Sequence, residues 1–123
     1  DAALQLLRLL QREGRLIDFL HEEIKGFTDA EIGSASRTVH EGCRKVILQY
    51  FDFLPVRTEE EDSKLTVEKG FAAQEIRLTG HVSGEAPFQG ILAHSGWRGS
   101  EVKLPERNSE KDFSIVAPAE VEI

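Results

Sequence analysis

The stretch TDAEIGSASRTVHEGCRKVILQY, residues 28–50, predicts the central helix of the protein. Its apolar side chains recur in steps of three and four, the spacing that places them on one face of a helix. They are Ile32, Ala35, Val39, Cys43, Val46 and Tyr50. Thr28 can accept from the free N–H groups of the first turn, and Glu31 completes the pattern of a capping box. We therefore expect a helix that begins near Thr28 or Asp29 and packs its apolar face on a sheet.

Shorter helices are predicted before residue 28. Leucines between residues 4 and 10 form a broad apolar face, and Gly14 offers a helix stop. Further apolar residues then fall on one side of a second helix, or of a continuation of the first, before Gly26 interrupts the pattern. They are Leu16, Phe19, Leu20 and Ile24. Residues 1–53 are thus predicted to be the helical half.

Residues 54–123 are predicted to be the β half, because the apolar period drops to two after Pro55. In residues 76–82 apolar and polar side chains alternate, as in a strand with one buried face. A loop over residues 83–87 would return the chain to a second strand at 88–94 and bring the two apolar faces together. The pairs in this register are Val82 with Phe88, Gly80 with Gly90, Leu78 with Leu92, and Ile76 with His94.

Other short strands are predicted around Leu65 and Val67, around Val102 and Leu104, and within 113–123, where Pro118 either confines the strand to a sheet edge or splits it in two. Helices followed by strands indicate the α+β class. We expect residues 1–123 to fold as one domain. In it the N-terminal helices pack on a C-terminal antiparallel sheet, or a small open barrel, of four to six strands.

The chain of 123 residues carries a formal net charge of −7. An acidic protein repels phosphate backbones, and no stripe of lysine and arginine offsets this charge, which argues against nucleic-acid binding. The densest charge run is the acidic stretch 59–62. Such a run is usually a solvated loop, and the alternative is a docking site for a basic partner.

A single cysteine, Cys43, excludes an intramolecular disulfide, and the cytoplasm is then the default compartment. No apolar run approaches the ~20 residues of a membrane-spanning helix, so we expect no membrane contact. The chain begins at Asp1 and contains no methionine. We therefore expect a fragment that lacks a native N-terminal segment.

Cys43 and His40 are the candidates for nucleophilic catalysis. Residues three apart on a helix are neighbours, and a histidine can activate a thiol. However, Cys43 lies in the middle of the apolar stripe, where a free cysteine behaves as a small buried hydrophobe and burial raises its pKa. We favour this structural interpretation of Cys43.

No motif indicates a metal or a cofactor. The four histidines, His21, His40, His81 and His94, do not have the spacing of a zinc site. The predicted register also puts His81 and His94 on opposite faces of the hairpin. Because the chain has neither a glycine-rich phosphate loop nor a serine-hydrolase elbow, we predict no cofactor.

Two features near the predicted hairpin are candidate binding sites. Gly80 opposite Gly90 would leave a notch, which indicates either a bend in a barrel or a ligand site. Trp97 and Arg98 follow His94 in a glycine-rich turn, and tryptophan and arginine are enriched at binding hot spots. The alternative is that Trp97 folds inward and closes the end of the core.

Five segments resemble a bacterial family of unknown function, number 2760. They are LQLLRLLQREGRLIDFL, VHEGCRK, RLTGHVSG, APFQGILAHSGWR and APAEVEI. The resemblance covers nearly the whole chain and carries no motif with an assigned catalytic role. It implies a partnership with atypical heat-shock-protein-70-like chaperones, beside which members of the family tend to be encoded. Longer members carry extra sequence before the region seen here.

Our leading hypothesis is a non-enzymatic protein-interaction module, acting as an adaptor or partner of such a chaperone. Its contact surface would be either His94, Trp97 and Arg98 or the acidic stretch 59–62. Two alternatives stay open. One is a small-ligand-binding domain at Gly80 and Gly90, and the other is a thiol enzyme that uses Cys43 and His40.

Overall fold

The fold was analysed in a computed structural model, which describes residues 1–105 and 114–123. Helices come first and strands follow, which confirms the α+β class. The helices are α1 (Ala2–Gly14), α2 (Leu16–His21), a 3₁₀ turn (Ile24–Gly26) and α3 (Asp29–Tyr50). The strands are β1 (Phe51–Pro55), β2 (Lys64–Val67), β3 (Phe88–Ile91) and β4 (Trp97–Val102). The change from helix to strand occurs at Phe51, and β1 was missed by the sequence analysis.

The helix α1 ends at Gly14, as predicted, and α2 is a separate helix. Arg15 between them adopts a left-handed backbone with φ 55°. Its side chain makes no capping hydrogen bond to α2. Gln11 takes that role, because its Oε1 accepts from the backbone N–H of Ile17 at 2.9 Å and of Asp18 at 3.2 Å. Gln11 is only 5% exposed, so a buried amide of α1 holds the first turn of α2.

The capping box at the start of α3 is confirmed. The Glu31 N–H donates to Thr28 Oγ1 at 3.1 Å, and the Thr28 N–H donates to Glu31 Oε1 at 2.9 Å. These two bonds satisfy donors that the first turn of a helix leaves free. The hydrogen bond from the Thr28 backbone lowers the pKa of the Glu31 carboxyl.

The C-terminal part of the apolar stripe of α3 packs on α1, whereas we expected the stripe to pack on a sheet. Val46, at 1% exposure, forms the core cluster with Leu9 and Leu10 of α1. Cys43 and Tyr50, from the same stripe, pack against this cluster. The reason is that α1 presents a wide leucine face, and its Leu9 and Leu10 cover this part of α3.

Two glycines allow α1 and α3 to approach closely. A β carbon on Gly42 would overlap the Glu13 carbonyl oxygen and the Gly14 Cα. A β carbon on Gly14 would lie 2.6 Å from Cys43 Sγ and 2.8 Å from the Cys43 backbone nitrogen. Neither position can hold a larger residue without moving backbone.

The described strands form two separate two-stranded sheets, β1 with β4 and β2 with β3, and not one sheet or barrel. The pair β2–β3 is antiparallel. Its register pairs Lys64 with Ile91, Leu65 with Gly90, Thr66 with Gln89, and Val67 with Phe88. Of the strand predicted within 113–123, residue 113 lies outside the described residues, and 114–123 contain no strand.

The predicted hairpin of 76–82 with 88–94 is wrong. Residues 76–82 form no strand, and Gly80 has φ +82°, outside the range of extended backbone. Leu65 and Val67 present the same alternating apolar face and pair with β3 instead. Matching of apolar faces therefore did not distinguish the two possible partners of β3.

The chain divides into two compact units. Unit 1 contains Asp1–Asp52 and Glu101–Ile123, and unit 2 contains Phe53–Ser100. The buried residues of unit 1 come from α1 and α3, whereas in unit 2 they are Val67 and Leu92. The prediction of one domain over residues 1–123 is not tested by this division.

Candidate functional site

Trp97 lies on the surface of unit 2. It is the first residue of β4, and its side chain is 66% exposed. The alternative that Trp97 folds inward to close the core is therefore wrong. An indole with this exposure leaves a large apolar area in contact with water.

Other apolar side chains accompany Trp97 on the paired strands β1 and β4. Phe53 is 43% exposed, and its ring lies 3.5 Å from where a β carbon on Gly99 would be. Because side chains alternate along a strand, Trp97 and Gly99 occupy the same face of β4. Phe53, Trp97 and Gly99 thus share one face, which we call the ribbon face.

Arg98 and His94 are each held by a local contact. Arg98 Nη2 forms an ion pair with Glu75 Oε1 at 2.6 Å, with both side chains about half exposed. An exposed pair of this kind contributes at most about 1 kcal/mol to stability. The Gly96 N–H donates to His94 Nδ1 at 3.0 Å, which fixes the imidazole on the turn before β4. The turn thus brings His94, Trp97 and Arg98 together within five residues of sequence.

The notch of Gly80 opposite Gly90 does not exist. Gly90 is paired with Leu65 of β2, and a β carbon on Gly80 would meet nothing within 4 Å. The ligand site predicted from two facing glycines therefore loses its geometric basis. The reason is that β3 pairs with β2 and not with residues 76–82.

A cleft of about 870 Å³ lies in unit 2, and Gly90 is among its lining residues. Its lining comes from β2 and β3, from residues within 73–85 and from the turn before β4. Its apolar lining includes Leu65, Leu78, Phe88 and Leu92, and both His81 and His94 contribute to its surface. Sequence reasoning missed this cleft because 76–82 was assigned to the space beside β3.

The environment of Cys43 does not favour a reactive thiolate. The thiol packs in the core cluster of unit 1, and burial raises its pKa. His40 is exposed, and desolvation alone accounts for the raised pKa of Cys43, with no contribution from a neighbouring charge or hydrogen bond. A nucleophilic cysteine needs a nearby cation or base that lowers its pKa, and this arrangement provides neither.

The acidic stretch 59–62 is partly engaged in local contacts. Arg57 Nε donates to Glu59 Oε1 at 3.1 Å, and this side-chain hydrogen bond lowers the pKa of the Glu59 carboxyl. The Asp62 N–H donates to the Leu92 carbonyl at 2.7 Å, and Ser95 Oγ donates to Glu61 at 3.4 Å. The stretch is a turn tied to the end of β3.

Among residues 1–105 and 114–123, no three His, Cys, Asp or Glu side chains converge as metal ligands would. The helices that the structure describes include none with the length and apolar character needed to cross a bilayer.

Comparison with known proteins places the sequence in a family. Residues 1–122 match the family described as domain of unknown function (DUF2760). No curated protein and no solved structure shows a significant match to the chain. Since the match covers nearly all of the 123 residues, this chain belongs to the DUF2760 family.

Proposed function

We propose that this protein is a non-enzymatic interaction module that binds a protein partner through the ribbon face and the adjoining Arg98 and His94. The observation that carries the proposal is the 66% exposure of Trp97. Tryptophan is the residue type that most often dominates binding energy at interfaces, and leaving it in water is unfavourable.

The surroundings of Trp97 support a contact surface. Phe53 shares its face and is 43% exposed. By the same alternation Leu54 and Arg98 lie on the opposite face of the two strands, where Arg98 is paired with Glu75. Two exposed aromatic residues on one face are stronger support than a single one.

The partner that we expect is a heat-shock-protein-70-like chaperone, as the family resemblance implies. The thiol-enzyme alternative has less support, because the pKa of Cys43 is raised by burial. The small-ligand alternative can no longer rest on Gly80 and Gly90, which are not opposed.

The test is affinity capture from the source cells, with the full native protein, its Trp97→Ala variant and a control. Leu20→Ala is the matched control, because Leu20 is 68% exposed and lies on α2 in unit 1. We expect a chaperone that the wild type and the control retain and that Trp97→Ala loses. A hot-spot truncation of about 2 kcal/mol weakens binding roughly 30-fold.

Two results would contradict this assignment. Equal capture of the partner by Trp97→Ala and the wild type would remove the ribbon face from the interface. Unfolding of Trp97→Ala, seen by circular dichroism, would show that the indole supports the fold.

A further inference from the structure

Unit 1 carries a small groove near the start of α3. The groove has a volume of about 200 Å³ and is lined by α2, by the segment that follows α2 and by the first turns of α3. Its apolar lining residues are Phe19, Ile24, Phe27, Ile32 and Ala35. The lining is therefore mainly apolar.

The local sequence explains how this groove forms. Phe27 precedes the N-cap Thr28, and Ile32 is the fourth residue of α3. Apolar residues at these two positions often pack together at a helix start, an arrangement called a hydrophobic staple. The arrangement leaves Phe27 43% exposed and Ile24 39% exposed. Apolar side chains of the groove thus remain in contact with water.

The size and the walls of the groove favour an amphipathic helix as its occupant. Pockets for small molecules usually measure about 300–1,000 Å³, so this smaller groove suits a few inserted side chains better than a whole ligand. Its walls are largely helical, and helices bond their own backbone groups. An occupant is then held through side chains, and a helix presents a row of apolar side chains while satisfying its own backbone.

The charges around the groove favour a basic occupant. The two charged residues of the lining, Glu22 and Glu31, are both acidic. Residues 22–31 contain four acidic residues and one lysine, Lys25. The Thr28 N–H donates to Glu31 Oε1 at 2.9 Å, which holds one carboxylate beside the groove. Complementary charge steers and orients a partner, so lysine or arginine beside the apolar row would match this surface.

Two other occupants match these charges less well. A two-fold contact between copies of this chain would bring the acidic residues of both grooves together. An anionic membrane surface would be repelled by the same carboxylates. A basic segment of another protein has neither disadvantage.

We infer that this groove binds a basic amphipathic helix of a partner protein, with apolar side chains inserted into the groove and cations beside Glu22 and Glu31. The inference goes beyond the proposed function, because the groove belongs to unit 1 and the ribbon face to unit 2. The protein would then offer two separate contact surfaces.

The experiment is selection, on the full chain, of a phage-displayed library of helix-forming peptides of about 18 residues, five turns at about 3.6 residues each. The affinity of the enriched peptides is then measured at low and at physiological salt. We expect peptides with apolar residues at i, i+3 or i+4, and i+7 and with a net positive charge. Their binding should weaken as salt rises, because salt screens exposed charges.

Two variants test the apolar and the acidic part of the groove separately. Ala35→Gln adds a larger side chain to the groove from an exposed position of α3, and glutamine is a good helix former. It should weaken peptide binding about fivefold or more. The matched control is Ala30→Gln, since Ala30 is an exposed alanine of the same helix that does not line the groove.

Glu22→Gln removes one charge from the groove and keeps the shape of the side chain. It should weaken binding about two- to fivefold at low salt and less at physiological salt. Glu41→Gln is its control, because Glu41 is exposed on α3 and lies outside the lining. Thermal unfolding of the four variants checks that each is folded.

Several results would overturn the inference. They are the enrichment of no peptide, the enrichment of acidic peptides, and binding to Ala35→Gln as tight as to the wild type. Light scattering that shows a dimer of the wild type and a monomer of Ala35→Gln would assign the groove to a second copy instead.

Failure of the inference can be told from failure of the proposed function. Trp97→Ala should leave peptide binding unchanged, because Trp97 lies in unit 2. If no peptide binds the groove and a partner still depends on Trp97, the groove is wrong and the ribbon face stands. If peptides bind as expected and no partner depends on Trp97, the ribbon face is wrong and the groove stands.

Discussion

At the scale of single residues, the close contact between Gly42 and Gly14 leaves no room for a side chain on Gly42. The backbones of α1 and α3 touch there, so the requirement is for the absence of a side chain rather than for backbone freedom. Gly42 lies inside α3, where glycine is normally unfavourable by about 1 kcal/mol relative to alanine. The close approach explains why glycine is nevertheless present.

Gly42→Ala should destabilise the protein by roughly 2–3 kcal/mol, the usual cost of forcing extra atoms into a packed contact. Gly33→Ala is a control on the same helix, because a β carbon at Gly33 meets nothing within 4 Å. It should stabilise the protein by about 0.5–1 kcal/mol through helix propensity. Urea unfolding measures both, and equal effects of the two variants would contradict the helix contact.

At the scale of an element, the first turn of α3 couples helix stability to pH. The Glu31 carboxylate accepts from the Thr28 N–H, and this bond holds its pKa below the ordinary value of 4.5. A group with a depressed folded-state pKa stabilises the fold above its unfolded pKa, and the contribution is lost as pH falls through the folded pKa.

Glu31→Gln should therefore be less stable than the wild type at about pH 7, and the difference should shrink as the pH falls below 4.5. Glutamine can still make the capping bond, so the variant isolates the charge. Thr28→Ala should lose about 1 kcal/mol, and part of this loss should also shrink at low pH, because the Thr28 side chain contributes to the lowered pKa of Glu31. Thermal unfolding across pH measures both, and a wild-type advantage that persists unchanged below the folded pKa would refute this role for Glu31.

At the scale of the whole molecule, regular hydrogen bonding is unevenly distributed between the two compact units. Unit 1 contains the described helices, and its core cluster is Leu9, Leu10 and Val46. Unit 2 contains the long stretch 77–83, which has no hydrogen bond among the described residues. Segments with few hydrogen bonds open at lower free energy than a packed helix.

Native-state amide exchange should consequently show the slowest amides in α1 and α3, near Leu10 and Val46, and near-unprotected amides in 77–83. We expect at least a hundredfold difference in exchange rate between the two groups, about 2.7 kcal/mol of opening free energy. Protection of 77–83 equal to that of α3 would contradict this description. Amides in a free peptide of the same sequence provide the reference rate.

Local sequence patterns determined the helices of this protein. The apolar spacing of α3, its capping box and the end of α1 at Gly14 involve residues a few positions apart, so they depend on little beyond the chain next to them. The exposure of Trp97 was one of two stated alternatives, because sequence alone does not tell whether a loop tryptophan folds inward.

Only the tertiary structure decided the partner of β3, the partner of the α3 stripe and the contact at Gly42. Leu65–Val67 and Ile76–Val82 offer β3 the same alternating pattern, and pairing is a competition between distant segments that periodicity cannot resolve. In the same way, the sequence does not distinguish a glycine that allows two helices to approach closely, such as Gly42, from an exposed glycine on the same helix, such as Gly33. Period and capping are local properties, whereas partner choice depends on which surfaces the folded chain brings together.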